Sequence, residues 1–267
     1  MRQSTVAQRG LEDGLPAEAG FSPERLQRLS DELKREVEQG LLPGAVTLIA
    51  RHAKVVHFEA VGWRDRAARA PMSTDAIFRI ASMSKPITSV AAMALVEQGR
   101  LQLENPVAAY LPRFDGIEVA VPRSDPGGGP PALDRVPAVR PPAVHDLLRH
   151  TAGLTYQFFD TPVGRLYREA DLRGRDRSNA DFASALAALP LAYQPGAGWN
   201  YSHATDLLGC VVEVASGRSL LEWEEQEILG PLGMTDTSFW ISDPRKHDRV
   251  AEAAAPDNRP FGAPLDD

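Results

Sequence analysis

Apolar residues recur along this 267-residue chain at two different spacings. After Ser22 the spacing is helical: Leu26, Leu29, Leu33 and Val37 fall three or four apart. Ser22 can cap that helix, Pro23 suits its first position and Gly40 can end it. Residues 44–50 and 55–61 are instead two short apolar runs rich in β-branched side chains. With His52-Ala53-Lys54 between them they predict a β-hairpin. Residues 64–74 are polar and read as a loop. Residues 78–101 are apolar and small and predict a helix. Pro86 lacks an N–H and is tolerated only in a first helical turn, so that helix must start near Ser82. Residues 111–142 are rich in proline and glycine, centred on Gly127-Gly128-Gly129-Pro130-Pro131, and predict a long surface loop. No P-loop lysine follows them. Further helices are predicted over 144–149, 180–189, 205–215 with Gly217 as the stop, and 220–229. Residues 193–201 read as a loop and 231–234 as a turn.

Composition narrows this little. The 43 % hydrophobic content is that of a globular protein, and a chain of this length can bury a core without staples. A net charge of −7 argues against nucleic acid or an anionic membrane as partner. Cys210 is the single cysteine, so no internal disulfide is possible. It sits in the apolar run 207–212 and reads as a small core residue. Residues 1–18 carry charges and no apolar core of signal-peptide length, and no stretch is long enough to span a bilayer. A cytoplasmic protein is the expectation.

The chemistry enters at Ser82-Met83-Ser84-Lys85. Residues three apart share one helix face, so Ser82 and Lys85 are neighbours. A serine hydroxyl needs a base before it becomes a useful nucleophile, and a lysine in a partly dry site can help supply one. Pro86 places Ser82 at the positive end of a helix dipole, where negative charge on an acyl oxygen is favoured. The histidines have no metal-ligand spacing on a common helix.

Four segments, in this order, resemble the serine β-lactamase and penicillin-binding-protein-like superfamily, most of all its class C β-lactamase-like carboxylesterases (the family VIII type). They are residues 78–86, Phe78 to Pro86 with Ser82-Met83-Ser84-Lys85 inside it, then 147–154, Leu147-Leu148-Arg149-His150-Thr151-Ala152-Gly153-Leu154, then 194–202, Gln194-Pro195-Gly196-Ala197-Gly198-Trp199-Asn200-Tyr201-Ser202, and last Pro231-Leu232-Gly233-Met234. The likeness spans residues 21–237. It implies a β-lactamase/transpeptidase-like α/β (α+β) fold: an antiparallel sheet flanked by helices, plus a mainly helical region. Residues 1–20 would be an N-terminal extension, 21–80 the first helix and hairpin, and 81–240 the helical region.

The resemblance also assigns roles. Ser82 is implied to be the acylated nucleophile, Lys85 its partner and Tyr201 the tyrosine that acts with Lys85 as general base. The Ser82 backbone N–H is implied as one oxyanion donor. Tyr156, Trp199 and His203 are expected beside the site, binding substrate or supporting the catalytic groups, with Trp199 packing beneath it. His150 is implied to be structural. His203 stands where β-lactamases of this class carry asparagine, which favours esters over β-lactams and could let it touch substrate. No cofactor and no metal is implied.

Relatives of this type continue well past a point like Asp267, through a third motif and the last sheet strands. The resemblance therefore implies that the second oxyanion donor and the C-terminal strands lie in a further segment or second chain, with 241–267 as its beginning. The expected activity is hydrolysis of small-molecule carboxylic esters. Rivals are acyl transfer to a small alcohol, β-lactam or D-alanyl peptide cleavage, and an inactive binding homologue.

Overall fold

Ser22 caps the first helix through its hydroxyl. The Arg25 N–H donates to Ser22 Oγ at 3.2 Å, and Pro23 fills the first helical position. Such a cap stabilises a helix by about 1 kcal/mol. This helix, α1, spans Pro23–Glu38, and beyond it Gly40 has a φ of 76°, a left-handed turn that glycine takes cheaply. The structure is a computed structural model describing residues 11–123, 132–172, 174 and 176–252. It divides into two compact units. The first holds the described residues up to Ala81 and from Leu232 onward; the second is Ser82–Pro231.

In the first unit, β2 (Gly44–Arg51) and β3 (Lys54–Asp65) form the predicted hairpin. Its turn is tighter than predicted. His52 and Ala53 alone make it, both with positive φ, the two-residue geometry that matches strand twist. The sheet also has two more strands than the sequence suggests. β1 (Glu12–Asp13) pairs parallel with the start of β3, and β4 (Ala70–Pro71) pairs antiparallel with its end. The expected N-terminal extension and the expected 64–74 loop therefore each contribute to the sheet. Strands of two residues show no alternation, so no pattern announces them. Helix α1 lies against β3.

The returning segment Pro244–Arg249 closes this unit. Arg249 donates from Nε to the Asp75 carbonyl at 2.9 Å and pairs with the Asp236 carboxylate. The Ile77 N–H donates to the Arg249 carbonyl at 2.7 Å and the Ala251 N–H to the Ile77 carbonyl at 2.8 Å. These bonds hold the stretch that leads into Ser82. The remainder of the expected C-terminal beginning, residues 253–267, lies outside the described residues.

The second unit is built on α6 (Ala204–Ser216), whose Leu207, Leu208, Val211 and Val212 are fully buried. Around it stand α2 (Ser84–Glu97), α3 (Val144–Leu148), α5 (Asn179–Ala187) and α7 (Leu220–Glu224), which runs on as a π-helical turn over Glu225–Leu229. α4 (Pro162–Glu169), capped by Thr161, has only Val163, Leu166 and Tyr167 as its apolar stripe and was not among the predicted helices. Cys210 is buried as expected. Its thiol is pushed up to about 12 by burial and by the nearby Glu213 and Asp206 charges, which keeps it inert.

The predicted 111–142 loop is partly a hairpin. β5 (Glu118–Arg123) and β6 (Ala132–Pro137) pair antiparallel, with Val119 opposite Val136. Pro122 and Pro137 disguise the strands, but proline is tolerated at the edge of a sheet. The glycine-rich centre lies outside the described residues.

Asp146 and Glu224 are buried carboxyls of the second unit, and their surroundings move them in opposite directions. Asp146, 1 % exposed, accepts from Arg140 Nη1 and Nη2 at 2.6 and 2.9 Å, from the Ala143 N–H at 2.9 Å and from Thr151 Oγ1 at 3.0 Å. Burial would raise its pKa, yet these donors hold it below the usual carboxylate range. Asp146 thus ties the start of α3 to the segment after that helix.

For Glu224, 4 % exposed, burial wins. It pushes the carboxyl above its ordinary value, against the Thr88 Oγ1 donor at 3.0 Å from the helix that carries Lys85. A carboxyl raised on folding binds its proton more tightly in the native state, so its contribution to stability is present at low pH and lost as pH rises above about 4.5. Glu224→Gln is expected to flatten the fall of Tm with pH above that point, read by thermal melts between pH 4 and 7. An unchanged pH profile would contradict it.

Candidate active site

The chain enters the site through a strained turn. Ala81 has a φ of 44°, in the left-handed region, which costs a non-glycine residue about 1 kcal/mol. Ala81–Met83 form one 3-10 turn and α2 begins at Ser84, with Pro86 in its first turn as predicted. Ser82 is exposed and sits beside the N–H groups of the helix start. Lys85, one turn on, donates from Nζ to Ser82 Oγ at 3.2 Å.

Tyr201 arrives from 119 residues away in sequence. Two segments clip together to carry it. Ala192 N–H donates to the Gly153 carbonyl at 2.7 Å, Gly196 N–H to that of Thr151 at 2.8 Å and Asn200 N–H to that of His150 at 3.1 Å. Gly153 has a φ of 87°, and a Cβ there would stand 2.3 Å from the Tyr193 carbonyl oxygen, so glycine is required. The result places Tyr201 Oη 2.6 Å from Ser82 Oγ, closer than Lys85 Nζ. Lys85 Nζ stands 4.8 Å from the Tyr201 ring centre and 5.8 Å from that of Tyr156.

The charges follow from this geometry. Burial alone would lower the Lys85 ammonium, but hydrogen bonding to Tyr201 and Tyr156 outweighs it and raises it above its ordinary value. Lys85 is therefore a cation at rest rather than a neutral base, because phenol oxygens surround it. Burial would raise Tyr201, but hydrogen bonds from Lys85 and Ser82 bring it below the ordinary phenol value. Tyr156 goes the other way. Burial and the Asp206 charge push it up to about 12.

The remaining expected residues sit around this trio. His150 donates or accepts through Nδ1 with Ser202 Oγ at 3.2 Å, and its ring lies 5.0 Å from that of Tyr201. Burial, then the Lys85 charge, lower its pKa, so it is neutral near pH 7. Tyr156 is buried, with its ring 5.3 Å from Tyr201 and stacked at 4.8 Å on Phe158.

His203 is only 3 % exposed. Its Nδ1 meets Asp206 Oδ2 at 3.1 Å and its Nε2 meets Gln157 Oε1 at 2.8 Å. Both nitrogens have partners and the ring stands edge-on to Tyr156 at 4.4 Å. Trp199 does not pack beneath the site. It is 67 % exposed, edge-on to His150 at 6.2 Å, because its loop runs over the surface.

Asp206 and Gln157 were not among the expected site residues. The available signal was an aspartate three residues after His203, inside the apolar start of α6.

A hydroxyl with a phenol and an ammonium within hydrogen-bond reach, at the start of a helix, is an arrangement for nucleophilic attack. Known proteins are similar to the chain that builds it. A sequence profile described as Beta-lactamase matches residues 29–267. Protein Rv1367c of Mycobacterium tuberculosis is 42 % identical over 212 residues, covering 78 % of this chain and 50 % of the relative. Esterase EstB of Burkholderia gladioli is 36 % identical over 226 residues, covering 83 % and 53 %. The solved structure of EstCE1, described as a hydrolase with promiscuous acyltransferase activity, superimposes with a TM-score of 0.70 at 29 % identity, covering 86 % of this chain and 58 % of its own. The chain spans about half the length of the curated relatives it matches. By its fold, its motif order and these likenesses, the chain belongs to the Beta-lactamase family.

Proposed function

We propose that this chain carries the acylation machinery of a serine carboxylesterase acting on small-molecule esters. The observation that supports it most is the approach of Tyr201 Oη to Ser82 Oγ at 2.6 Å, with Lys85 Nζ at 3.2 Å. Lys85 keeps Tyr201 acidic enough to ionise below the ordinary phenol range. The Tyr201 phenolate accepts the Ser82 proton as Oγ attacks the ester carbonyl. Negative charge gathers on the carbonyl oxygen, toward the Ser82 N–H and the positive end of α2. Tyr201 then returns the proton to the leaving alcohol. Water then attacks the acyl carbon with Tyr201 again as base, the acyl–Oγ bond breaks, Tyr201 returns the proton to Ser82 Oγ and the acid is released. A further segment or second chain supplies the second oxyanion donor in this reading, as the resemblance implies.

His203 favours esters over β-lactams, since its ring is committed to Asp206 and Gln157 and offers no amide to a lactam side chain. The likeness to EstB and EstCE1 agrees. EstCE1's printed acyltransferase activity also favours a second reading, transfer to a small alcohol.

A panel of short and medium p-nitrophenyl esters beside a chromogenic cephalosporin tests the reading. Ester turnover is expected to exceed cephalosporin turnover by about 100-fold or more, on the order of 3 kcal/mol in barrier. It should rise with pH and level off below the ordinary phenol value near 10. An added alcohol that yields a new ester identifies transfer. Faster cephalosporin turnover would overturn the ester assignment.

A further inference from the structure

We propose that Asp206, anchored by His203, is a positioning residue that balances the Lys85 charge and fixes the Tyr156 hydroxyl as a hydrogen-bond donor, leaving Tyr201 as the phenol that ionises beside Ser82. This rests on the roles of Ser82, Lys85 and Tyr201 given above.

Two tyrosine rings border Lys85, and their centres are 5.3 Å apart. Something must decide which one ionises. Asp206 distinguishes them. Its Oδ2 lies 3.5 Å from Tyr156 Oη and 3.1 Å from His203 Nδ1. A carboxylate only accepts, so the Tyr156 O–H has to donate. A phenol that donates to an anion is hard to deprotonate. Tyr201 Oη points instead at Ser82 Oγ. His203 fixes the arrangement from behind, because its Nε2 is pinned by Gln157 Oε1, the neighbour of Tyr156 in sequence.

The titratable groups that feel this carboxylate come from every side. They are Lys85 from α2, His150 and Tyr156 from the segment after α3, Tyr201 and His203 from the approach to α6, and Cys210 one turn further along α6. The Asp206 side chain is 49 % exposed; its partial burial would raise it, but the His203 hydrogen bond and charge, with the Lys85 charge, hold it below the usual carboxylate range. It is therefore an anion at neutral pH.

The sign of its removal is fixed. An anion beside a phenol opposes loss of its proton, so Asp206→Asn should move ionisation of Tyr156, its 3.5 Å partner, to lower pH by about one unit, and that of Tyr201 in the same direction by less. Asp206→Glu keeps the charge and should hold the Tyr156 midpoint nearer its original value than Asp206→Asn does. The test is a carbon-13 NMR titration of protein labelled at tyrosine Cζ, with signals assigned by Tyr201→Phe and Tyr156→Phe. In the unsubstituted chain, Tyr201 is expected to titrate first, while Tyr156 stays protonated through that transition. A Tyr156 that ionises no earlier in Asp206→Asn than in the unsubstituted chain overturns the proposal. So does an Asp206→Glu midpoint displaced as far as that of the asparagine variant, since the effect would then be packing rather than charge. If neither variant folds, the unsubstituted chain decides alone: Tyr156 titrating at or below Tyr201 overturns it. Ser82 labelling by a phosphonate across the same pH range is read separately. Titrations as expected without labelling would remove the acylation reading and leave the charge arrangement standing.

Discussion

Tyr201→Phe is expected to slow acylation of Ser82 by on the order of 1,000-fold, about 4 kcal/mol of barrier. The substitution deletes one oxygen and keeps the ring, so the contacts with His150 and Tyr156 survive. The group lost is the 2.6 Å partner of Ser82 Oγ. The Tyr201 hydrogen bond is also the largest of the contacts that raise Lys85, so any acylation left in the variant reports on Lys85 acting alone. The rate should also lose its rise with pH below about 10, since the group that titrates there is gone. Stopped-flow acylation with a p-nitrophenyl ester between pH 6 and 10 measures both effects. A variant within about tenfold of the parent, or one with the same pH limb, would move the role of base to Lys85.

The site was legible in the sequence where one local rule carried it. Pro86 is the plainest case. Its missing N–H forces a helix start, and the start puts Ser82 and Lys85 together on one face. Tyr201 was legible only through the resemblance, because nothing in its own neighbourhood points 119 residues back to Ser82. Asp206 was marked only by its place three residues after His203. It lies in an apolar helix start, and its meaning depends on Tyr156 and Gln157, about 50 residues away. His203 shows the same limit from another side. Its position in the motif suggested a substrate contact, but only the packing of Tyr156 shows that it faces inward.

The fold divides similarly. α1 and α6 follow from periodicity, α1 with a cap at its start and α6 with glycine at its end. β1 and β4 are two residues each and are held by β3 rather than by their own composition. β5 and β6 carry prolines that suggest a loop, yet their backbones pair with each other, and Val119 of β5 also bridges to Leu191. Tertiary pairing overrides local propensity at such places.

Ser82→Ala carries the largest expected effect, a loss of turnover on the order of 100,000-fold with Lys85 and Tyr201 left in place. Removing the hydroxyl takes away the atom on which both partners converge, at 2.6 and 3.2 Å, so neither can act on substrate through it. The change is small and lies on the exposed helix start, so the fold should keep its Tm within a few degrees. Ser84, two residues on, lies off the face shared by Ser82 and Lys85 and is not placed to substitute for the lost hydroxyl.

The most direct measurement is the intact mass and peptide map of the protein after exposure to a fluorophosphonate, with and without Ser82→Ala. The account predicts one adduct, on the peptide carrying Ser82, and none in the variant. An adduct on another residue, or labelling that persists in Ser82→Ala, would contradict it.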